Sequence, residues 1–577
     1  MRNKLVLALA VCFFPRLLLA EDLVYKENLA RQLIEQIPRL LKSFDPATGH
    51  FGGGIWVVND QHPMYPLAVA YALERADNPH YKSAALLEAV MKAGDALIAD
   101  ADADGRWEFR KKDGSTWGRI HMPWTYSRWV RAFALIEDDM PAEQRGQWAQ
   151  ALALGYGRIA KSALGRVHNI PSHHAMGLYI AGKTLDRPEW CDQAEGFLRR
   201  VAAEQHEGGY WSEGEGPVVA YNFVYADALG TYYALSHDAE VLAALERAAV
   251  FHLRFTYPNG ARVETIDERN PYEPGVNAGN VGFTFTAEGR AYLQRQWSRR
   301  ETDALDADLI ASLLLYGVEG PVAIEAETAG PFVLTEGGMP RAATLRQGPW
   351  FLCVSAYCSP VPDSRWLQDR QNLLSVYHER AGLILGGGNT KLQPAWSTFT
   401  VGDPSLLRHE PGDTSPDFEP KGELYHVPGS ATLVLEPALG LDLKHGAEEC
   451  RVRVAVLDAK RLGIQLDATV DSGLPVAAHL TLLPHLGESL RTDGGQETVL
   501  GEIPFDWAGP ELGRGLAYAG CHFELPGSAS VHWPAKRHNP YAKDGAASLE
   551  DHRIELRIPF DEKHLTEAVI IAVEQSE

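Results

Sequence analysis

The chain has 577 residues, with 54 Lys+Arg against 76 Asp+Glu and a formal charge of −22. Its 45% apolar residues supply a core and exclude wholesale disorder, and its length suits two or three domains. The acidic balance excludes a general nucleic-acid or anionic-membrane binder, which needs a basic stripe, but leaves the lining of one cleft open.

The first twenty residues read as a secretory leader. Arg2 and Lys4 precede the apolar run Leu5–Phe14, and Leu18-Leu19-Ala20 ends before Glu21-Asp22. Cleavage after Ala20 is expected, and the protein is expected to be periplasmic or secreted. Loss of Arg2, Lys4 and Arg16 with the leader leaves 51 basic against 76 acidic residues. No other stretch has the roughly 18 uninterrupted apolar residues of a membrane span.

From there to about residue 320, apolar residues recur at helical spacing. The spacing predicts helices over Asn28–Phe44, Pro66–Ala76, Lys82–Ala99, Trp124–Ile136, Ala142–Ser162, His173–Ala181, Glu189–Gln205, Ala220–Leu235, Ala239–Phe255 and Thr302–Leu315. Each buries one stripe, so the helices must stack around a shared core. The pattern alone leaves a globin-like pile, a solenoid or a closed toroid open. After about 320 the period becomes two. Strands are predicted at Trp350–Tyr357, Leu373–Tyr377, Leu383–Leu385, Ala431–Leu435, Cys450–Leu457, Leu462–Ala468, Ala478–Leu483, Ile554–Ile558 and Ala568–Val573. Many strands without intervening helices argue for stacked antiparallel sheets. The expected organisation is a leader at 1–20, an all-α domain at 21–320 and an antiparallel β-sandwich at 321–577. Five cysteines follow the leader, widely spaced and odd in number, so no disulfide framework or zinc pattern is expected.

Four stretches concentrate chemistry. Arg166–Tyr179 carries His168, Asn169, His173 and His174, with Pro171 and Ser172 as a helix start and Ser172 as its cap. Adjacent histidines point in different directions from a helix, and no HExxH-type spacing is present, so metal is the weaker reading. Gly208–Gly230 carries Trp211 and then Tyr221 and Tyr225, which share one helix face at i and i+4. Packing residues and catalytic phenols are both open readings for that pair. Arg262–Phe283 holds Asp267, Glu268, Arg269 and Tyr272 in a polar loop, a usual place for function. In the β half, Asp363–Asn389 holds Trp366, Gln368, Arg370 and His378.

Together these residues resemble the polysaccharide lyases that join an (α/α) toroid to a β-sandwich, the heparinase II/III-like, alginate and hyaluronate/chondroitin lyase group. In that group a turn precedes a Tyr-x-x-x-Tyr helix whose second tyrosine is catalytic; here Tyr210-Trp211-Ser212 precedes Tyr221 and Tyr225. A catalytic Asn, often beside a His, stands about 55–60 residues earlier in the group, and Asn169 precedes Tyr225 by 56. Trp366–Gly388 resembles the first sandwich strands, which return a His or Arg to the cleft. The stretches at 60–66 and 386–389 look most similar to a branch acting on alginate or glucuronan. The resemblance implies an N-terminal toroid or incomplete barrel, a C-terminal sandwich and β-elimination on a 4-linked uronate polymer. It implies an anionic polysaccharide as partner and no cofactor or metal.

That chemistry suits the residue types. Asn169 and Arg269 can neutralise the uronate carboxylate as charge develops. Tyr225 can protonate the leaving oxygen, and the base is Tyr225, His173 or His174. Tyr221, His168, Tyr272, Trp211, Arg370, His378 and Gln368 are expected to bind substrate, and Trp56, Trp124 and Trp366 would suit sugar stacking. The competing reading is a glycoside hydrolase on the same scaffold, with a carboxylate pair drawn from Glu213, Glu215 and Asp267.

Overall fold

The computed structural model describes residues 19–52, 61–110, 116–300, 304–324, 330–412 and 416–574. The leader up to residue 18, Trp56 and Asp60 lie outside the described residues. Eleven α-helices occur among those described: α1 (Lys26–Lys42), α2 (Met64–Ala72), α3 (Ala84–Asp100), α4 (Pro123–Ile136), α5 (Ala142–Ser162), α6 (Asn169–Thr184), α7 (Pro188–Ala203), α8 (Val219–Ser236), α9 (Ala239–Arg254), α10 (Ala287–Trp297) and α11 (Ala307–Tyr316).

Composition sorts these helices into two rings. Nearly every residue of α2 is buried, and α6 and α8 are apolar on most sides, as helices covered all round must be. They form an inner ring in which α2 packs on α4, α4 on α6, α6 on α8, α8 on α11 and α11 back on α2. The more amphipathic α1, α3, α5, α7 and α9 lie outside and bury one stripe each. The helical half is therefore a closed toroid, which the sequence pattern left open.

Several elements depart from the sequence expectation: α2 ends at Ala72 rather than Ala76, α11 begins at Ala307 rather than Thr302, and an unpredicted hairpin joins Trp107–Arg110 to Thr116–Ile120. Helix α10 was not predicted, because Arg290 and Gln296, both polar, hold buried positions on it. Helix α6 begins at Asn169, four residues before the predicted start, and Ser172 lies inside its first turn rather than capping it. The Ser172 hydroxyl donates to the His168 carbonyl at 2.7 Å. Pro171 is tolerated there because the first-turn N–H groups have no intrahelical acceptor.

Among the described residues, the second half holds three antiparallel sheets of five, six and nine strands. The six- and nine-stranded sheets enclose a core of Val401, Leu441, Val452, Ile464, Leu480, Val531, Leu556 and Ile571. The five-stranded sheet, running from Phe332–Glu336 to Gly382–Leu385, lies between that core and the toroid. A third apolar cluster fuses the halves, with Tyr210, Phe251, Phe255, Tyr257 and Ile266 from the toroid side against Leu334, Phe351, Tyr357 and Tyr377.

The Gly386-Gly387-Gly388-Asn389 run latches the two halves. All three glycines have positive φ, and a Cβ at Gly387 would lie 2.2 Å from Arg553 Nε. Freed of side chains, the run slips under the toroid loop. Gly387 N–H donates to Glu264 at 2.9 Å, its carbonyl accepts from Tyr272 N–H at 3.1 Å, and Asn389 Nδ2 donates to the Asp267 carbonyl at 3.0 Å. The five described cysteines are free thiols. No helix among the described residues is long and apolar enough to cross a membrane.

Candidate active site

The N-terminal turns of the inner helices meet at one mouth. His62, just before α2, meets Thr125 of α4 at 3.1 Å, and Arg128 of α4 pairs with Asp308 of α11 at 2.6 Å. Ser127 of α4 meets His173 of α6 at 2.9 Å, and His173 faces Asp227 of α8. Each helix N-terminus carries roughly half a positive charge, so this mouth favours anions locally despite the acidic balance of the whole chain.

At the rim of the mouth, three donors converge on one carboxylate. Asn169 Nδ2 donates to Glu213 Oε2 at 2.7 Å, the Tyr225 hydroxyl donates to Glu213 Oε1 at 2.8 Å, and His168 Nε2 lies 2.9 Å from Oε2. The Glu213 side chain is only 3% exposed, so those donors replace its water. The turn that carries it is pinched by a bridge between Ser212 and Pro217. Tyr225 is buried and stacked on Trp211, centroids 4.9 Å apart and planes 9° apart, so only its hydroxyl end reaches the site. Burial and the Glu213 carboxylate together hold the Tyr225 phenol well above its ordinary pKa. Tyr225 therefore stays protonated.

Tyr221 stands one turn earlier on α8, half-buried, with the Arg269 guanidinium 4.8 Å from its ring centroid. Burial pushes its phenol up to about 12, against the pull of Arg269. Arg269 Nε is buried without a hydrogen-bond partner. Its loop is fixed by Asp267, which accepts from the N–H groups of Val219, Arg269 and Asn270, each at 2.8 Å, and so caps α8 from outside the helix. Glu268 accepts from Glu215 N–H at 2.9 Å and is backed by Arg370 at 3.4 Å, while Arg370 also donates to the Ile266 carbonyl.

The other predicted positions separate. His173 and His174 are both buried, and burial depresses both imidazoles, His174 to about 3. Neither meets Tyr225 or Asn169. Trp211 is a packing surface for Tyr225, its indole donating to the Val201 carbonyl at 2.7 Å. Arg370 and Gln368 are buried in the latch between the halves, and Arg370 reaches the site only through Glu268. Tyr272 accepts from Asn259 at 3.0 Å beside Tyr257. His378 packs on Trp350 and meets the Ala459 carbonyl at 3.1 Å in the sandwich. Two residues escaped the sequence reading of this site. In the sequence Glu213 reads only as a candidate hydrolase carboxylate. Tyr541, exposed and 5.4 Å from Trp366, lies close enough to Tyr221 to raise its pKa; it sits in a loop with no periodic signal. Among the described residues no three His, Cys, Asp or Glu side chains are grouped to hold a metal.

The buried histidines make stability depend on pH. His62, His174 and His252 are all held at about 3, primarily by burial. The unfolded chain takes up their protons near 6.5, so their stabilising effect is complete above that pH and is lost as pH falls toward 3. Each steepens the fall by up to about 1.4 kcal/mol per pH unit. The melting temperature should therefore drop between pH 7 and 5. His252→Phe should flatten the drop, since His252 is packed among Phe223, Phe283 and Tyr292. An unchanged slope in that variant would refute the assignment.

Neither a protein-family model nor a curated protein matches the sequence. Among solved structures the chain is similar to heparinase III, with 11% identity and a TM-score of 0.51 over 100% of this chain and 88% of that one. A heparan sulfate lyase mutant from Pedobacter heparinus follows at 10% identity and TM-score 0.48, over 95% and 84%. A chondroitin lyase that is a baculovirus envelope protein has 9% identity and TM-score 0.47, over 96% and 84%. The likeness to heparinase III shows the fold, a helical toroid followed by stacked antiparallel sheets.

Proposed function

We propose that the protein is an exported polysaccharide lyase that cleaves a 4-linked uronate polymer, alginate or glucuronan foremost, by β-elimination. The observation that carries this reading is the convergence of Asn169, His168 and Tyr225 on a single carboxylate at 2.7–2.9 Å. Donors of this kind suit a carboxylate, and burial with Glu213 keeps a protonated phenol among them. The leader-like first twenty residues support export. The likeness to heparinase III supports a polysaccharide as substrate.

In this reading Asn169 and Arg269 draw charge from the substrate carboxylate, which makes the C5 proton removable. Tyr225 protonates the leaving O4. The base role passes to His168, because His173 and His174 are buried. His168 is 26% exposed on its side chain, and its Nε2 is oriented by Glu213. The hydrolase reading loses support from the same geometry. Asp267 is occupied in capping α8, and Glu213, surrounded by donors, is poorly placed to give a proton.

The test is incubation with alginate, glucuronan, hyaluronan and heparan sulfate, read by the ultraviolet absorbance of unsaturated uronate ends. Absorbance is expected with an unsulfated polyuronate. Its absence on all four, with reducing ends released instead, would establish the hydrolase.

A further inference from the structure

The six-stranded sheet turns one face to the sandwich core through Val401, Leu480, Val531 and Leu556. Side chains alternate across a strand, so Thr400, His479, Ser530, His532, Glu555 and Arg557 lie on the opposite face. The pairing register sets them side by side. Arg557 is opposite both His479 and Ser530, and Glu555 is opposite His532. An outer face of an antiparallel sheet is ordinarily solvated. Here His479 and Glu555 are buried, and a cavity of about 270 Å³ lies over them, walled on its other side by Gln393, Pro404 and Arg408. Every residue lining it belongs to the second half of the chain, so it is separate from the site around Glu213.

The charges of this cavity are unevenly partnered. Glu555 meets His479 Nδ1 at 2.5 Å, and His479 Nε2 meets Thr400 at 2.7 Å. Asp506 faces His532 at 3.9 Å. Each acid thus has an imidazole beside it, while the two guanidinium groups have no counterpart. Arg557 Nε is buried without a hydrogen bond, and the side chain of neither Arg557 nor Arg408 makes an ion pair or hydrogen bond among the described residues. An arginine nitrogen left unpaired at a cavity wall is costly and calls for a partner.

We propose that this cavity is a second saccharide site, which holds one uronate unit of an anionic polysaccharide by its carboxylate. The lyase reading supplies only the identity of the polymer. A guanidinium takes a carboxylate in bidentate geometry, and Arg557 and Arg408 are the lining groups free to do so. The hydroxyls of the same sugar are donors, for which Glu555 and Asp506 are acceptors, and Ser530 serves either way. Ala395, Pro404 and Ala535 give the ring an apolar wall. The volume falls near the lower bound of small-molecule sites, about 300 Å³, and suits one sugar rather than a long segment. A compact dianion such as phosphate would bring its second charge against Glu555 and Asp506. The site gives the protein a second hold on its polymer, away from the toroid mouth.

The test is calorimetric titration of the full chain with methyl glucuronide, methyl glucoside and inorganic phosphate. The two glycosides differ only at C6, carboxylate against hydroxymethyl. Methyl glucuronide should bind at least about tenfold tighter than methyl glucoside. Arg557→Gln and Arg408→Gln should each weaken glucuronide binding about tenfold, the scale of one charge-assisted contact. The melting temperature should hold in both variants, because neither breaks a pairing; Arg408, exposed, gives its answer even if Arg557→Gln fails to fold. Asn169→Ala, at the candidate active site, should leave this binding in place. Equal binding of the two glycosides, no binding of either, phosphate binding as tight as the glucuronide, or binding lost in Asn169→Ala but kept in both arginine variants would overturn the site. If glucuronide binding depends on the arginines while the wild type yields no unsaturated ends on any polymer, the site stands and the lyase reading falls. Unsaturated ends without arginine-dependent binding would keep the lyase and remove the site.

Discussion

Tyr225→Phe is expected to lower the rate of unsaturated-end formation by about three orders of magnitude, the scale of losing a positioned proton donor. The fold should survive. The ring stays stacked on Trp211, and the lost hydroxyl leaves Glu213 with Asn169 and His168 as donors, so the cost is about 1 kcal/mol. The substitution therefore separates chemistry from stability. Glu213→Gln makes the contrast sharper. Under the lyase reading Glu213 orients His168 and keeps the Tyr225 phenol protonated, so Gln should leave measurable activity. Under the hydrolase reading Glu213→Gln would be the inactive variant and Tyr225→Phe the active one. Steady-state rates across pH 5–10 for both variants decide between them.

Much of this site was legible because its parts are local. Asn169 beside His168, and Tyr221 with Tyr225 at i and i+4, are relations that helical geometry fixes within a few residues. The partner that unites them was not legible as such. Glu213 lies 44 residues from Asn169 and 12 from Tyr225, in a turn whose Gly and Glu residues read equally well as solvated loop. The same limit misplaced His173 and His174. Sequence shows that they are clustered, but their burial depends on what packs over α6, Ser127 and Asp227 against His173 and His121 against His174. The period of two found the sandwich strands that alternate or run apolar. It missed Leu439–His445 and Cys521–Glu524, where His445, His522 and Glu524 interrupt the apolar pattern. Arg370 and Gln368 looked like cleft residues because polar side chains in a sheet suggest function. The structure gives another use for polarity at that place, as the bonding surface between a sheet and a helical domain.

That same interface carries the largest expected effect on stability. Lys391 and Asp369 are completely buried and paired at 2.8 Å, and Asp369 also meets His426 at 2.9 Å. The Lys391 ammonium donates to the Pro362 carbonyl at 2.5 Å and lies over the Phe418 ring. This triad anchors the base of the segment whose next residues, Arg370 to Asn372, lock onto the toroid loop through Ile266 and Asn389. Lys391→Met keeps most of the side-chain volume but strands the Asp369 charge, which should cost about 3–5 kcal/mol. Removing both charges with Lys391→Met and Asp369→Leu should recover most of that loss, because replacing a buried pair by apolar groups is often neutral. Denaturant unfolding of the wild type, of each single variant (Lys391→Met and Asp369→Leu) and of the double variant gives the coupling directly. A single variant as stable as the wild type would mean that water reaches Asp369. A double variant no better than the single would mean that the triad is needed for shape rather than for charge balance. In the second case kcat should fall with stability, because Arg370 would no longer brace Glu268 under the turn that presents Glu213.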